Sequence, residues 1–240
     1  MKRILAMLMA AMMLFALTAC GGSGAAEPAG SEPAAEAAKQ DAPAGGGEPM
    51  DAEVVESGYA VDGGYLYYSV TLHNPNTEYA IELPSYRVTA KDESGAVLGT
   101  MEHTLSVIYP GQDFHYAFQG FACDQDPATV DFEIIPAEDY NFKKASSLDH
   151  PEFKPLEVSG ASFKSDGITS DVLGEVQNNN DYDIENAVVV VYFRDADGNL
   201  TGGAGTFINH IPAGGTAAFD ILVYADIVTD NYEVYADNWM

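Results

Sequence analysis

Basic residues are what this sequence most lacks. Its 240 residues include 10 Lys and Arg against 37 Asp and Glu, a formal charge of −27 at pH 7. Phosphate binding needs clustered Lys and Arg, so this balance excludes nucleic acid as a partner and a polybasic grip on anionic headgroups. Cysteine is also scarce: Cys20 and Cys123 alone cannot build a disulfide framework. Recognisable catalytic spacing is missing as well. His73, His103, His115, His150 and His210 fall in different predicted elements, without His-x-x-x-His or Cys-x-x-Cys spacing. No Gly-x-Ser-x-Gly elbow occurs, and Gly202-Gly203-Ala204-Gly205 lacks phosphate-loop spacing, so its glycines read as relaxing a turn or strand edge. The sequence assigns no catalytic residue and no cofactor, and the expectation is a protein that is not an enzyme. What is present is core material, with 47% hydrophobic and 11% aromatic residues, which excludes wholesale disorder.

The first segment carries its own chemistry. Lys2 and Arg3 precede an unbroken apolar run from Ile4 to Leu17, 14 residues long. A spanning helix needs about 20, whereas this length suits the core of a secretory signal. The run closes on Leu17-Thr18-Ala19-Cys20, an apolar residue and two small ones before a cysteine. This arrangement resembles the bacterial lipobox. The resemblance implies a signal peptide over 1–19, cleavage before Cys20 and acylation of Cys20, which would hold the protein in membrane lipid. Two or more acyl chains anchor stably where one is marginal. The implied location is extracytoplasmic, lipid-anchored to a bacterial membrane at the cell surface. Losing Lys2 and Arg3 leaves 8 basic residues against 37 acidic ones, a formal charge of −29.

Residues 21–52 contain 10 Ala, 7 Gly, 4 Pro and 4 Glu, with no Ile, Leu, Val or aromatic. Such a stretch has nothing to bury, so 20–52 reads as a lipidated cysteine followed by a disordered tether. Its root-mean-square reach is roughly 30 Å by flexible-chain scaling.

Beyond residue 52, short alternating runs separated by Gly, Asn, Asp and Pro predict an all-β protein. In Tyr65–Leu72, the residues Leu66, Tyr68, Val70 and Leu72 share one face, and Ser69 and Thr71 take the other. An internal repeat follows. Leu72-His73-Asn74 aligns with Val176-Gln177-Asn178, and Lys91-Asp92-Glu93-Ser94-Gly95 with Arg194-Asp195-Ala196-Asp197-Gly198. Tyr109-Pro110 aligns with Ile211-Pro212, and Phe118 with Phe219. Four anchors in order predict two homologous domains, 53–136 and 156–240, joined by a connector over 137–155.

In each copy a strand ending in Asn precedes a strand that closes on Asp, with Gly three residues later. The second copy reads Val176-x-Asn178, then Val191-Tyr192-Phe193-Arg194-Asp195 with Gly198. The first reads Leu72-x-Asn74, then Val88-Thr89-Ala90-Lys91-Asp92 with Gly95. This pattern resembles the FxLYD family of bacterial surface proteins. Lys91 and Arg194 stand where that family usually has Tyr, and Ala90 replaces a large apolar residue. The resemblance implies two tandem immunoglobulin-like β-sandwich domains in a lipoprotein or membrane-attached setting, and it brings no established catalytic residues. Asp92, Asp195, Asn74 and Asn178 are expected to accept backbone N–H groups at turns and strand ends.

Three surface features are candidates for binding. Val189, Val191 and Phe193 should face a core, which leaves Val188, Val190 and Tyr192 on an apolar opposite face. The connector or the first domain covers that face, or it receives an envelope partner. Tyr65 and Tyr67 point outward and could offer a platform to a glycan or peptide. Asp195, Asp197 and Asn199 supply oxygens at alternate positions, a weak calcium motif that lacks the glycine and glutamate spacing of an EF-hand, so a hairpin turn is expected instead. Cys123 has no base beside it and reads as a small core residue. The function expected is a lipid-anchored binding or spacer module, with glycan or peptide recognition and an envelope-assembly subunit as rivals.

Overall fold

A computed structural model of the chain describes residues 47–165, 169–223 and 227–239. The lipobox residues Leu17, Thr18, Ala19 and Cys20 therefore lie outside the described residues, as do the signal segment and most of the tether. The described chain is all-β. Its first half contains β1 (Glu53–Asp62), β2 (Tyr65–His73), β3 (Tyr79–Glu82), β4 (Ser85–Lys91), β5 (Val97–Thr104), β6 (Val107–Ile108), β7 (Asp113–Ala122) and β8 (Thr129–Ile135). Two short 3-10 turns flank β9 (Phe142–Lys144). The second half holds β10 (Glu157–Ser165), β11 (Ser170–Gln177), β12 (Ile184–Arg194), β13 (Leu200–Ile211), β14 (Thr216–Val223) and β15 (Tyr232–Asn238). Every strand pair is antiparallel, in five three-stranded sheets: β1-β2-β7, β5-β4-β8, β6-β3-β9, β10-β11-β14 and β13-β12-β15.

The alternation read from β2 and β4 sets the first sandwich. Leu66, Tyr68, Val70 and Leu72 meet Tyr86, Val88 and Ala90 in one buried cluster. The outer face of β5-β4-β8 is an ordinary solvated one, crossed by Arg87–Glu102 and Lys91–Asp131 ion pairs and a Thr89–Thr100 hydroxyl contact. In the second half, Val189, Val191 and Phe193 on β12 pack with Val172, Val176, Phe219 and Ile221 from the facing sheet.

The two sandwiches are not separate beads. Val188, Val190 and Tyr192 are fully or almost fully buried and belong to the first half's core cluster. Sheet β13-β12-β15 lies on sheet β1-β2-β7, and the outer sheets complete a four-layer stack. Of the two readings of Val188, Val190 and Tyr192, the partner-binding face is thus corrected and cover by the first domain holds: the first half of the same chain occupies that face. Burying the polar face of β2 has the same cause, with Ser69 at 0% and Thr71 at 5% exposure.

Glycines set the closeness of this contact. A Cβ on Gly205 would sit 2.7 Å from a Phe118 ring carbon and 2.8 Å from the Ala117 carbonyl oxygen. One on Gly203 would meet the Ser69 hydroxyl at 2.6 Å and Ala117 Cβ at 2.9 Å. The Gly202–Gly205 run therefore does more than relax a strand edge; it lets one sheet lie against the other.

Residues 50–52, which composition assigns to the tether, are tied into the fold. Met50 exchanges two backbone hydrogen bonds with the Asn76 side chain, 2.8 and 2.7 Å. Asp51 accepts the Ala137 N–H, and Ala52 is buried in the core. The connector is also tied down, because β9 pairs with β3 and Phe153 stacks on Tyr109 at 5.0 Å.

Candidate functional site

The seam between the halves concentrates the buried polar chemistry. Tyr192 reaches from β12 into the neighbouring sheet. Its hydroxyl donates to Val70 O at 2.6 Å and accepts from Tyr116 N at 3.1 Å, which leaves the Thr71 hydroxyl as donor at 3.1 Å. Burial drives its phenol well above the ordinary tyrosine range, so it stays protonated as the donor this geometry requires. Arg194, one residue from the turn, holds Glu56 of β1 through both Nη atoms and Glu233 of β15 through Nε at 2.7 Å. The hydrogen bonds to Glu56 lead in raising its pKa, and the Arg194 guanidinium holds the Glu233 carboxyl below its usual range. Lys91, at the matching position of the first copy, instead pairs with Asp131 inside its own sheet. The basic residue found where the resemblance expects Tyr is therefore an inter-half bridge in one copy only.

A third cross-seam contact is centred on Asp237, 6% exposed. Its carboxylate meets Gln112 Nε2 at 3.0 Å, His115 N at 2.8 Å and His115 Nδ1 at 3.0 Å, and the imidazole stacks on Tyr235 at 3.8 Å. These groups line a cavity of about 390 Å³ whose other walls include Tyr109 and Phe153. Both carboxylate oxygens accept from first-half donors, so the arrangement fastens the two halves.

Two smaller cavities flank the Asp149–His150 turn. One, of about 200 Å³, is lined by Glu82, Tyr109 and the turn itself. The other, of about 290 Å³, includes Tyr182, Asp183, Glu185, Asn186, Asn238 and Trp239 in its wall.

Tyr65 is 45% exposed, but Tyr67 packs against the second half's core, so the pair does not form one outward platform. The seam is the reason, since Tyr67 lies on the β2 face that β13 covers. Asp195 Oδ1 accepts from Asp197 N and Asn199 N at 2.9 and 2.8 Å, and Asn199 turns its amide nitrogen toward Oδ2. Asp195, Asp197 and Asn199 thus close a hairpin, with Gly198 at φ 87°, and present no oxygen cage to calcium. Among the described residues no cluster of three His, Cys, Asp or Glu side chains could hold a metal ion. Cys123 is buried in the first core, with its thiol donating to Gln125 O.

Asp92 makes the equivalent turn, accepting from Ser94 N, Ser94 Oγ and Ala96 N. These donors depress both carboxyls, led by the Ser94 side chain at Asp92 and the Asn199 side chain at Asp195. A depressed folded pKa gives stability that is complete above the ordinary aspartate value, about 3.9, and is lost as pH falls through the folded value. Urea midpoints measured from pH 5 down to pH 2 should therefore fall less steeply for an Asp92→Asn, Asp195→Asn double variant. Equal slopes would show that the turns contribute nothing to acid sensitivity.

The most regular feature of the molecule is a pair of asparagine clasps, one in each half. Asn74 Oδ1 accepts from Asn76 N and Nδ2, and its own amide donates to Tyr79 O and Ile108 O. Asn178 does the same with Asn180, Tyr182 O and Ile211 O. Asn76 clasps the Met50 backbone, and Asn180 clasps the Lys154 backbone. The second asparagine of each pair follows the first by two residues, a repeat visible in the sequence at the same spacing as Asn74 and Asn178.

No family model matches the chain, and no curated protein is similar to it. Among solved structures, one similar chain is described as a β-glucuronidase from glycoside hydrolase family 2. It aligns at 14% identity and a TM-score of 0.23, over 68% of this chain and 20% of its own. The chain thus spans about a fifth of that structure's length.

Proposed function

We propose that this protein is a lipid-anchored, extracytoplasmic binding or spacer module without catalytic activity, acylated at Cys20 and carrying two FxLYD-like, immunoglobulin-type sandwich domains on a short tether. The observation that carries the spacer part is the seam. Apolar surface that would otherwise need a partner is consumed inside the chain, and a stiff acidic block remains. A block of this charge is soluble and is repelled by an anionic envelope, which suits display at a distance from it. The apolar face of β12 no longer supports an envelope-assembly subunit.

Anchoring is tested in a bacterial host by metabolic labelling with a palmitate analogue and detergent phase partition. The wild-type chain should label and enter the detergent phase, and Cys20→Ala should do neither. Equal labelling of the Cys20→Ala chain would overturn the anchored reading.

A further inference from the structure

We propose that the cavity beside Trp239 binds small organic ammonium ligands, with linear polyamines as the representative class. Three elements far apart in sequence form it: the Asp149–His150 turn of the connector, the strand start at Tyr182–Asn186, and Asn238–Trp239 at the end of β15. Its wall combines aromatic rings with carboxylates and contains no Lys or Arg. His150 and Tyr182 stack at 3.5 Å with an angle of 6° between rings, giving one flat wall. Trp239 gives another and is braced from behind by Tyr116 at 6.0 Å and Phe207 at 5.2 Å.

Ring faces attract cations through their quadrupole, and indole does so most strongly. Asp149, Asp183 and Glu185 stand at the rim, each exposed. Asp183 spends one oxygen on the Ala213 N–H, so its second oxygen is available to a donor. Rings plus carboxylates that have no ion pair among the described residues select a positively charged, partly apolar ligand over a neutral sugar or an anion. The adjoining cavity shares Asp149 and His150 and adds Glu82 and Tyr109, so a second ammonium centre on a linear chain meets the same chemistry across the turn. The remaining negative charge of the molecule raises the local concentration of such cations. This inference deepens the binding role proposed above and rests on it. It is measured without reference to anchoring, so failure of one leaves the other's result readable.

Trp239 is the chain's single tryptophan, so tryptophan emission comes from this one wall of the cavity. The purified full-length chain, in nonionic detergent, is titrated with spermidine at fixed ionic strength, with calorimetry as a second readout. The expected result is saturable binding that changes Trp239 emission. An Asp183→Asn, Glu185→Gln double variant, which keeps an acceptor oxygen for Ala213 and should melt as wild type, should bind about tenfold more weakly. Tyr182→Ala should also weaken binding. The proposal is overturned if neither readout saturates, if magnesium at matched charge produces the same response, if the double variant binds as wild type, or if a neutral oligosaccharide binds in place of spermidine.

Discussion

Replacing Gly205 with Val should destabilise the protein by about 3 kcal/mol, at the upper end of the usual cost of overpacking. The added Cβ meets the Ala117 carbonyl oxygen at 2.8 Å, and backbone on a central layer cannot swing away as a side-chain tip can. Two methyl groups then press on Phe118, which stacks on Phe207 across the seam at 5.6 Å. For a chain of this length, that loss lowers the melting temperature by about 6–12 °C. Cleavage in the 137–155 connector should accelerate as the halves part. Ala218→Val on the exposed face of β14 is the control and should stay within about 0.5 kcal/mol of wild type. Equal melting of the Gly205 and Ala218 variants would mean that the two sheets do not lie this close.

Tyr192→Phe is the second large effect, and it removes only one oxygen. Three groups of the first half rely on that hydroxyl: the Val70 carbonyl, the Tyr116 N–H and the Thr71 hydroxyl. Leaving buried polar groups without a partner costs about 1–3 kcal/mol each, and partial relaxation brings the expected total to about 2–4 kcal/mol. Tyr68→Phe provides the comparison. The Tyr68 hydroxyl, whose pKa burial pushes up to about 12, meets the Tyr86 hydroxyl at 3.0 Å and no other partner among the described residues, and its loss should cost about 1 kcal/mol. Urea midpoints at constant slope give both values. Equal costs would remove the seam hydroxyl from any special role.

These two positions also mark where sequence reasoning stopped. Period-two alternation correctly divides Ala187–Phe193 into two apolar faces, because side-chain direction along a strand is local geometry. What covers each face is not local, so the same alternation cannot tell a partner's surface from the other half of the chain. Thr71 and Ser69 mislead for this reason: polar on a strand normally means solvent, yet here Thr71 is the polar partner Tyr192 needs. Gly203 and Gly205 have no side chain with a pattern to read, and their purpose lies in the sheet above them. The turns at Asp92 and Asp195 were legible because every partner sits within four residues. Asn76 and Asn180 carry the same spacing as Asn74 and Asn178, but their partners are backbone atoms of Met50 and Lys154, which no residue type advertises. The Trp239 cavity gathers residues from three distant stretches, and only the topology brings them together.

The clasp at Met50 has a mechanical consequence. A pull on the chain from its N-terminal side arrives first at the two hydrogen bonds with Asn76, then at the Asp51 bond to Ala137, and only then at the β1 ladder. Because β1 runs along β2, an end-on load shears that ladder's bonds together and does not peel them one at a time. The Asn76 side chain thus acts as a strain relief, taking a load from the N-terminal side before the β1 ladder does.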